Sequence, residues 1–272
     1  MSFSPAIPLT GYAGWAFLKR TQASQQAAFA ASSEVKSDEA YFRENIGKIS
    51  TADELVNDRR LLKVALGAYG LSDDIDNKYF IKKVLQDGTL STTALGNKLS
   101  DKQYLKMSAA FGFGDFAVPS TKISTFPDKI VTAYKAREFE AAVGEQDGDL
   151  RLALNLQREL PVLADKTSSE TTKWLTILGN TALRTVFETA LGLPSSIGSL
   201  DLDQQLLAFQ TKAASQLGNK TVSQFSDPAA LEKLTKRYLL RAEVTNYSSA
   251  SAGSTAVQLM QQVVSNGWSR LK

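Results

Sequence analysis

A helix signature that recurs along the chain constrains its fold more than any other feature. Asp58-Arg-Arg-Leu61-Leu-Lys-Val64-Ala-Leu-Gly-Ala68-Tyr-Gly70-Leu71 is matched by Asn180-Thr-Ala-Leu183-Arg-Thr-Val186-Phe-Glu-Thr-Ala190-Leu-Gly192-Leu193, with every residue 122 positions later. A looser copy, one residue shorter, runs from Asp101 through Tyr104 and Leu105 to Ala110, Phe111, Gly112 and Phe113. A glycine just past the last turn takes the left-handed conformation, and the apolar residue after it folds back onto the helix. The Asp or Asn at the other end suits a cap. Repeated helix units of this kind predict an all-α fold, an elongated array of packed helices, and argue against a doubly wound sheet.

Other helix signals are dense. Thr51-Ala-Asp53-Glu54 is a capping box, and Leu55, Leu61, Leu62, Ala65 and Leu66 continue an apolar stripe after it. Ser37 precedes a segment with Asp38 and Glu39 in its first turn, where the helix dipole favours acids. Asp227-Pro228 starts a helix whose Leu231, Leu234, Tyr238 and Leu239 share one face. Further helices are predicted over 130–143, 150–163 with Pro161 kinking its end, 202–217 and 256–268. Gly, Pro and Ser collect in loops at 112–127, 145–149, 192–200 and 246–255. The predicted organisation is a mobile segment over 1–10, a helical domain over 11–245, a flexible hinge over 246–255 and a C-terminal helix over 256–272.

The 272 residues contain no cysteine and no histidine. Thiolate nucleophiles, imidazole bases, Ser-His-Asp triads and most transition-metal sites are thereby excluded. Carboxylate, lysine, tyrosine and hydroxyl groups remain for chemistry. A 43% hydrophobic fraction supports a sizeable core. The net charge of +3 comes with interspersed signs and no basic stripe, which speaks against nucleic acid. No apolar run reaches the roughly 18 residues that a membrane helix needs. At the N-terminus, Lys19 and Arg20 follow the apolar stretch rather than precede it, the wrong order for a secretory signal.

Several short motifs resemble chemical sites without their context. Gly112-Phe-Gly114-Asp-Phe-Ala117 follows a helix and runs into Pro119, whereas a dinucleotide loop needs strand, turn and helix. Gly218-Asn-Lys220-Thr221 lacks the earlier glycine of a phosphate loop and reads as a helix stop. Asp201-Leu-Asp203 follows no apolar strand, so Asp201 reads as an N-cap. Asp73-Asp74-Ile-Asp76 lacks the calcium-loop glycine and distal glutamate. Ser33-Glu-Val-Lys36 has no supporting second motif. Arg60 and Arg237 sit on amphipathic helices, as solvated or ion-paired groups or as docking points for a partner carboxylate. No cofactor or metal ligand set is predicted.

Gly11-Tyr12-Ala13-Gly14-Trp15, Asp58-Arg59-Arg60-Leu61-Leu62, Gly67-Ala68-Tyr69-Gly70-Leu71, Trp174, Gly192-Leu193-Pro194 and Arg237-Tyr238 together resemble a bacterial protein family of unknown function found near flagellar genes. The resemblance covers nearly the whole chain. It rests also on Phe17, Leu18 and Thr21 and on Tyr41-Phe42. Asn97, Asp101, Tyr104, Phe111-Gly112-Phe113 and Asp227-Pro228 continue it. It implies an all-helical bacterial protein associated with the flagellum by gene neighbourhood, and it transfers no catalytic residue. A chain without cysteine also suits export in an unfolded state, so either a cytoplasmic location or export with flagellar components is expected.

The functional expectation is a non-enzymatic structural or interaction protein. Tyr12, Trp15 and Leu18 lie on one apolar edge, and Val257, Met260, Val264, Trp268 and Leu271 form a second stripe after the hinge. Tyr12, Trp15, Leu18, Met260, Val264 and Trp268 are the candidate partner-binding residues, for a protein partner or for self-association through the terminal helices. The alternative is a hydrolase or lyase working through carboxylates, with Glu138, Glu140 and Asp203 as candidates. Paired acids with raised pKa values would favour the enzyme, and apolar surface the binder.

Overall fold

Side-chain oxygens of Thr51, Asp58 and Asp227 start three of the helices, and left-handed glycines at 70, 112, 192 and 218 stop four of them. A computed structural model describes residues 3–246, all of them in helices, turns and loops, with no β-strand among them. The α-helices are α1 (Gly11–Ala30), α2 (Ser33–Asn45), α3 (Ala52–Asn57), α4 (Arg59–Gly67), α5 (Lys78–Asp87), α6 (Leu95–Lys98) and α7 (Gln103–Phe111). They continue with α8 (Phe126–Gly144), α9 (Gly148–Ala164), α10 (Glu170–Leu178), α11 (Thr181–Leu191), α12 (Leu202–Leu217) and α13 over residues 228–246.

The capping box at the start of α3 forms as read: Thr51 Oγ1 accepts from Glu54 N at 3.2 Å while Glu54 Oε2 accepts from Thr51 N at 3.3 Å. Asp58 then interrupts the stripe. Its backbone is extended, and its Oδ1 accepts from Arg60 N and Leu61 N at 3.0 Å each, so α3 and α4 are separate helices. Asp227 caps α13 by accepting from Ala229 N at 3.1 Å. α2 begins at Ser33, earlier than Ser37 indicated, because Val35 is buried and adds a turn to the apolar face. The stops at Gly70, Gly112, Gly192 and Gly218 all carry positive φ.

The contacts group the chain into two compact units where one helical domain over 11–245 was expected. Among the described residues, the first comprises 3–10, Gly14–Arg151 and Gly179–Thr181, and the second comprises Gly11–Ala13, Leu152–Leu178 and 182–246. In the first unit, α2, α4 and α8 pack on one another around Phe42, Leu61, Leu62, Val64, Leu66, Phe126 and Ile130. In the second, Trp174 lies edge-on to Phe187 and Phe209, with ring centroids 5.4 and 6.3 Å away, and Phe187 meets Phe225 at 5.6 Å. Each unit thus has its own aromatic or aliphatic interior.

The N-terminal segment, expected to be mobile, is tied down within the first unit. Phe3 packs edge-on against Phe29 at 5.5 Å, and Gln25 brackets Ala6 by accepting from its N–H and donating to its carbonyl. Gln146 donates to the carbonyl of Pro5 at 2.7 Å. Of the expected hinge over 246–255, Asn246 is helical and the rest lies outside the described residues, as does the C-terminal helix over 256–272. Among the described residues, no helix is long and apolar enough to cross a membrane.

Candidate functional site

On α8, Tyr134 and Glu138 are four residues apart and so share a face; on α2 the same spacing aligns Glu34 with Asp38. These two faces meet α4, which contributes Lys63 and Gly67. Lys63 Nζ lies 2.7 Å from Glu34 Oε1 and 2.7 Å from Asp38 Oδ2. The Tyr134 hydroxyl donates to Asp38 Oδ2 at 3.0 Å, and Ser72 Oγ donates to Glu138 Oε1 at 3.1 Å. Gly67 permits the approach: a Cβ there would lie 2.7 Å from both Glu138 Oε1 and the Tyr134 ring. Six polar side chains therefore gather at the junction of three helices, with Asp38 and Tyr134 buried.

The electrostatics follow from this packing. Burial opposes the charge on Lys63, but its hydrogen bonds to Asp38 and Glu34 outweigh that and raise its pKa, so it stays an ammonium. Burial pushes the Tyr134 phenol up, and the Asp38 charge beside it adds to the effect. Burial also raises the Glu138 carboxyl. The Ser72 hydrogen bond and Lys63 pull it down in part, and Glu34 and Asp38 push it further up. The cluster therefore has one acid biased towards its neutral form, beside an ion pair in which the lysine holds two carboxylates.

A pH-dependent stability follows. The folded chain holds the Glu138 proton more tightly than the unfolded chain does. The resulting stabilisation is complete below the unfolded pKa and is lost as pH rises through the raised folded value. Glu138→Gln carries no charge at any pH and keeps an acceptor for Ser72. It should melt above the native chain at neutral and alkaline pH, with the difference closing towards acid. A thermal melt series across pH reads this; a variant that melts lower throughout would contradict it.

The other two candidate acids do not join this cluster. Glu140 is buried two residues beyond Glu138 on α8, a spacing that sends the two side chains in different directions. Asp203 is exposed in the first turn of α12, where the helix dipole favours a negative charge. The acids of the 73–76 run are engaged locally: Asp74 accepts from the Tyr104 hydroxyl and from Asn77, and Asp76 pairs with Arg59 at 2.6 Å. Gly112 and Gly218 are left-handed helix stops, which accounts for both nucleotide-like motifs. Arg60 stacks 4.0 Å over the Tyr41 ring and donates to Ser37 Oγ at 2.9 Å. Arg237 donates to the Ala190 carbonyl at 2.7 Å. Both arginines thus have partners within the chain.

The candidate partner-binding residues separate. Trp15 and Leu18 are 1% and 0% exposed. The apolar edge of α1 is turned inward, because two large side chains at helical spacing gain most by burial. In the folded chain these two are core residues and present no surface to a partner. Tyr12 is half-buried, its hydroxyl 3.3 Å from Glu232 Oε1 and its ring 5.1 Å from Lys236 Nζ. Met260, Val264 and Trp268 lie outside the described residues.

Apolar surface occurs where the sequence showed only a loop. Asp115 Oδ1 accepts from Thr89 N at 2.6 Å and Leu90 N at 3.3 Å, and its Oδ2 accepts from Thr89 Oγ1 at 2.8 Å. Gly114 lies so close to Gln86 and Gly88 that any side chain there would overlap their backbone. With the two loops pinned in this way, Leu90, Phe116 and Val118 are 77%, 60% and 69% exposed. The signal available in the sequence was Asp115 followed directly by Phe116-Ala117-Val118, an apolar run within a loop.

Comparison with known proteins places these observations. Residues 68–231 match the family described as protein of unknown function, DUF1217. The fold is similar to the X-ray crystal structure of a protein from Agrobacterium tumefaciens, a structural genomics target. The TM-score is 0.70 at 25% sequence identity, over 89% of this chain and 99% of that one. No curated protein matches the chain.

Proposed function

The chain belongs to the DUF1217 family, whose function is unknown, and on that premise we propose that it is a non-enzymatic structural or interaction protein. The observation that carries the reading is the exposed apolar set Leu90, Phe116 and Val118, held outward by loops that Asp115 pins together. Large apolar side chains held exposed on hydrogen-bonded loops are the kind of surface that protein contacts cover. The polar groups with chemical potential are meanwhile bound to one another. Lys63 is held by two carboxylates, and the buried Lys173 by the Ala164 carbonyl at 2.7 Å and Ser223 Oγ at 2.6 Å. The partner is a protein or a second copy of the chain. The flagellar association, with a location in the cytoplasm or among exported flagellar components, belongs to the same proposal.

The test is affinity purification from native cells under cross-linking, comparing the native chain with a Phe116→Ser, Val118→Ser double variant. Both positions are exposed, so thermal stability should hold within about 0.5 kcal/mol per site. The captured protein set, or the self-association, should be lost. A variant that retains the same set at the same yield would sink the proposal.

A carboxylate-dependent hydrolase or lyase is the second reading. It is favoured by one observation, the Glu138 carboxyl biased towards its neutral form beside Asp38 and Tyr134. A neutral carboxylic acid is a general acid. Turnover that follows a bell-shaped pH profile and disappears in Glu138→Gln would establish this reading in place of the first.

A further inference from the structure

We infer that the chain is an internal duplication, in which the α3–α4–α7–α8 arrangement of the first unit recurs as α10–α11–α12–α13 in the second. The two helix stops match bond for bond. Gly70 N donates to Gly67 O at 3.1 Å and Leu71 N to Leu66 O at 3.0 Å; Gly192 N donates to Thr189 O at 3.1 Å and Leu193 N to Glu188 O at 2.9 Å. The glycines have φ of 71° and 65°. In both copies a short helix precedes the residue just before the glycine-ended helix, Asp58 or Asn180. In both, the later helix ends on a left-handed glycine, Gly112 or Gly218, whose N–H donates four residues back. A short 3-10 turn follows in each, at Ser120–Lys122 and Ser223–Ser226, and then the last long helix.

A second feature, independent of the helix signature, closes the correspondence. α8 carries Tyr134-x-x-Arg137 and α13 carries Tyr238-x-x-Arg241, and both tyrosines are buried. Each arginine lies against the matching glycine. Arg137 Nη1 lies 3.0 Å from where a Cβ on Gly70 would be, and the Arg241 guanidinium overlaps that position on Gly192. Arg241 Nε also donates to the Thr189 carbonyl at 2.9 Å, on the last turn of α11. A cation at a helix C-terminus is the favourable sign for its dipole. From Gly70 to Gly192 the offset is 122, and from Arg137 to Arg241 it is 104. The interval from the glycine to the arginine is longer in the first copy by the difference, 18 residues, most of them in the stretch that holds α5 and α6. Arg137 and Arg241 are thus equivalent positioning residues, each locking a glycine-ended helix.

Hydrogen exchange on the 272-residue chain tests the equivalence. Arg137→Ala should speed exchange in a peptide covering residues 68–71, and Arg241→Ala in one covering 190–193. Each increase should be roughly tenfold or more, the size expected when a charge-assisted contact is lost. Arg137→Lys and Arg241→Lys keep the charge but not the fork; they should give smaller increases of matching size and serve as the readout if an alanine variant does not fold. An experimental structure should superpose Gly70, Tyr134 and Arg137 with their helices on Gly192, Tyr238 and Arg241. One arginine loosening its helix stop while the other has no effect, or two triads that fail to superpose, would overturn the inference.

Discussion

Trp174→Ala should be the most damaging truncation in the second unit, costing about 3–5 kcal/mol. The indole is fully buried between Phe187 and Phe209, and its Nε1 donates to the Lys220 carbonyl at 2.8 Å. Alanine would leave a cavity walled by two rings that cannot collapse into it without losing their edge contacts. It would also strand a carbonyl that the indole now satisfies. Total stabilities of about 5–15 kcal/mol are usual, so the loss is a large fraction of what holds such a unit together. Hydrogen exchange over α10, α11 and α12 reads it directly, whereas a single melting temperature mixes two units. Trp174→Phe keeps most of the volume and loses only the hydrogen bond, so it should cost much less. Equal effects from the two variants would mean that packing is not what Trp174 contributes.

Gly67→Ala is the second large effect, and its sign is the test. In an exposed helix interior this substitution gains about 1 kcal/mol from backbone propensity. Here the new Cβ would lie 2.7 Å from Glu138 Oε1, 2.7 Å from Tyr134 Cδ2 and 2.9 Å from its Cε2. Tyr134 is buried and donates to Asp38, so its ring cannot retreat without breaking that bond. Overpacking of this kind costs about 1–3 kcal/mol and cancels or exceeds the propensity gain. Denaturant unfolding should show net destabilisation, with α4 and α8 exchanging faster. A stabilised variant would mean that α4 and α8 do not approach at Gly67.

The local grammar of the fold was legible in the sequence, and the tertiary consequences were not. Thr51, Asp58 and Asp227 act as caps, and Gly70, Gly112, Gly192 and Gly218 as stops, because both devices depend on a few adjacent residues. The buried Leu231, Leu234, Tyr238 and Leu239 confirm that periodicity finds the apolar face of a helix. Periodicity does not tell what covers that face. Trp15 and Leu18 form such an edge and are covered within the chain. The polar cluster was half visible: the four-residue spacings of Glu34 with Asp38 and of Tyr134 with Glu138 are local, but their convergence on Lys63 depends on three helices meeting. Ser72 joins from a turn that periodicity does not describe. The two units were likewise hidden, since a division of the core depends on long-range contacts.

An interaction protein and a carboxylate-dependent enzyme differ most directly over Glu138. In one measurement the native chain, Glu138→Gln and the Phe116→Ser, Val118→Ser double variant are purified side by side from native cells under cross-linking. Each is then assayed for the proteins it retains and melted at neutral pH. If the chain is an interaction protein, Glu138→Gln melts higher than the native chain and retains the full set of bound proteins, while the double variant keeps its melting temperature and loses them. A Glu138→Gln chain that gains stability but loses its bound proteins, beside a double variant that keeps them, would contradict this and move the function to the acid cluster.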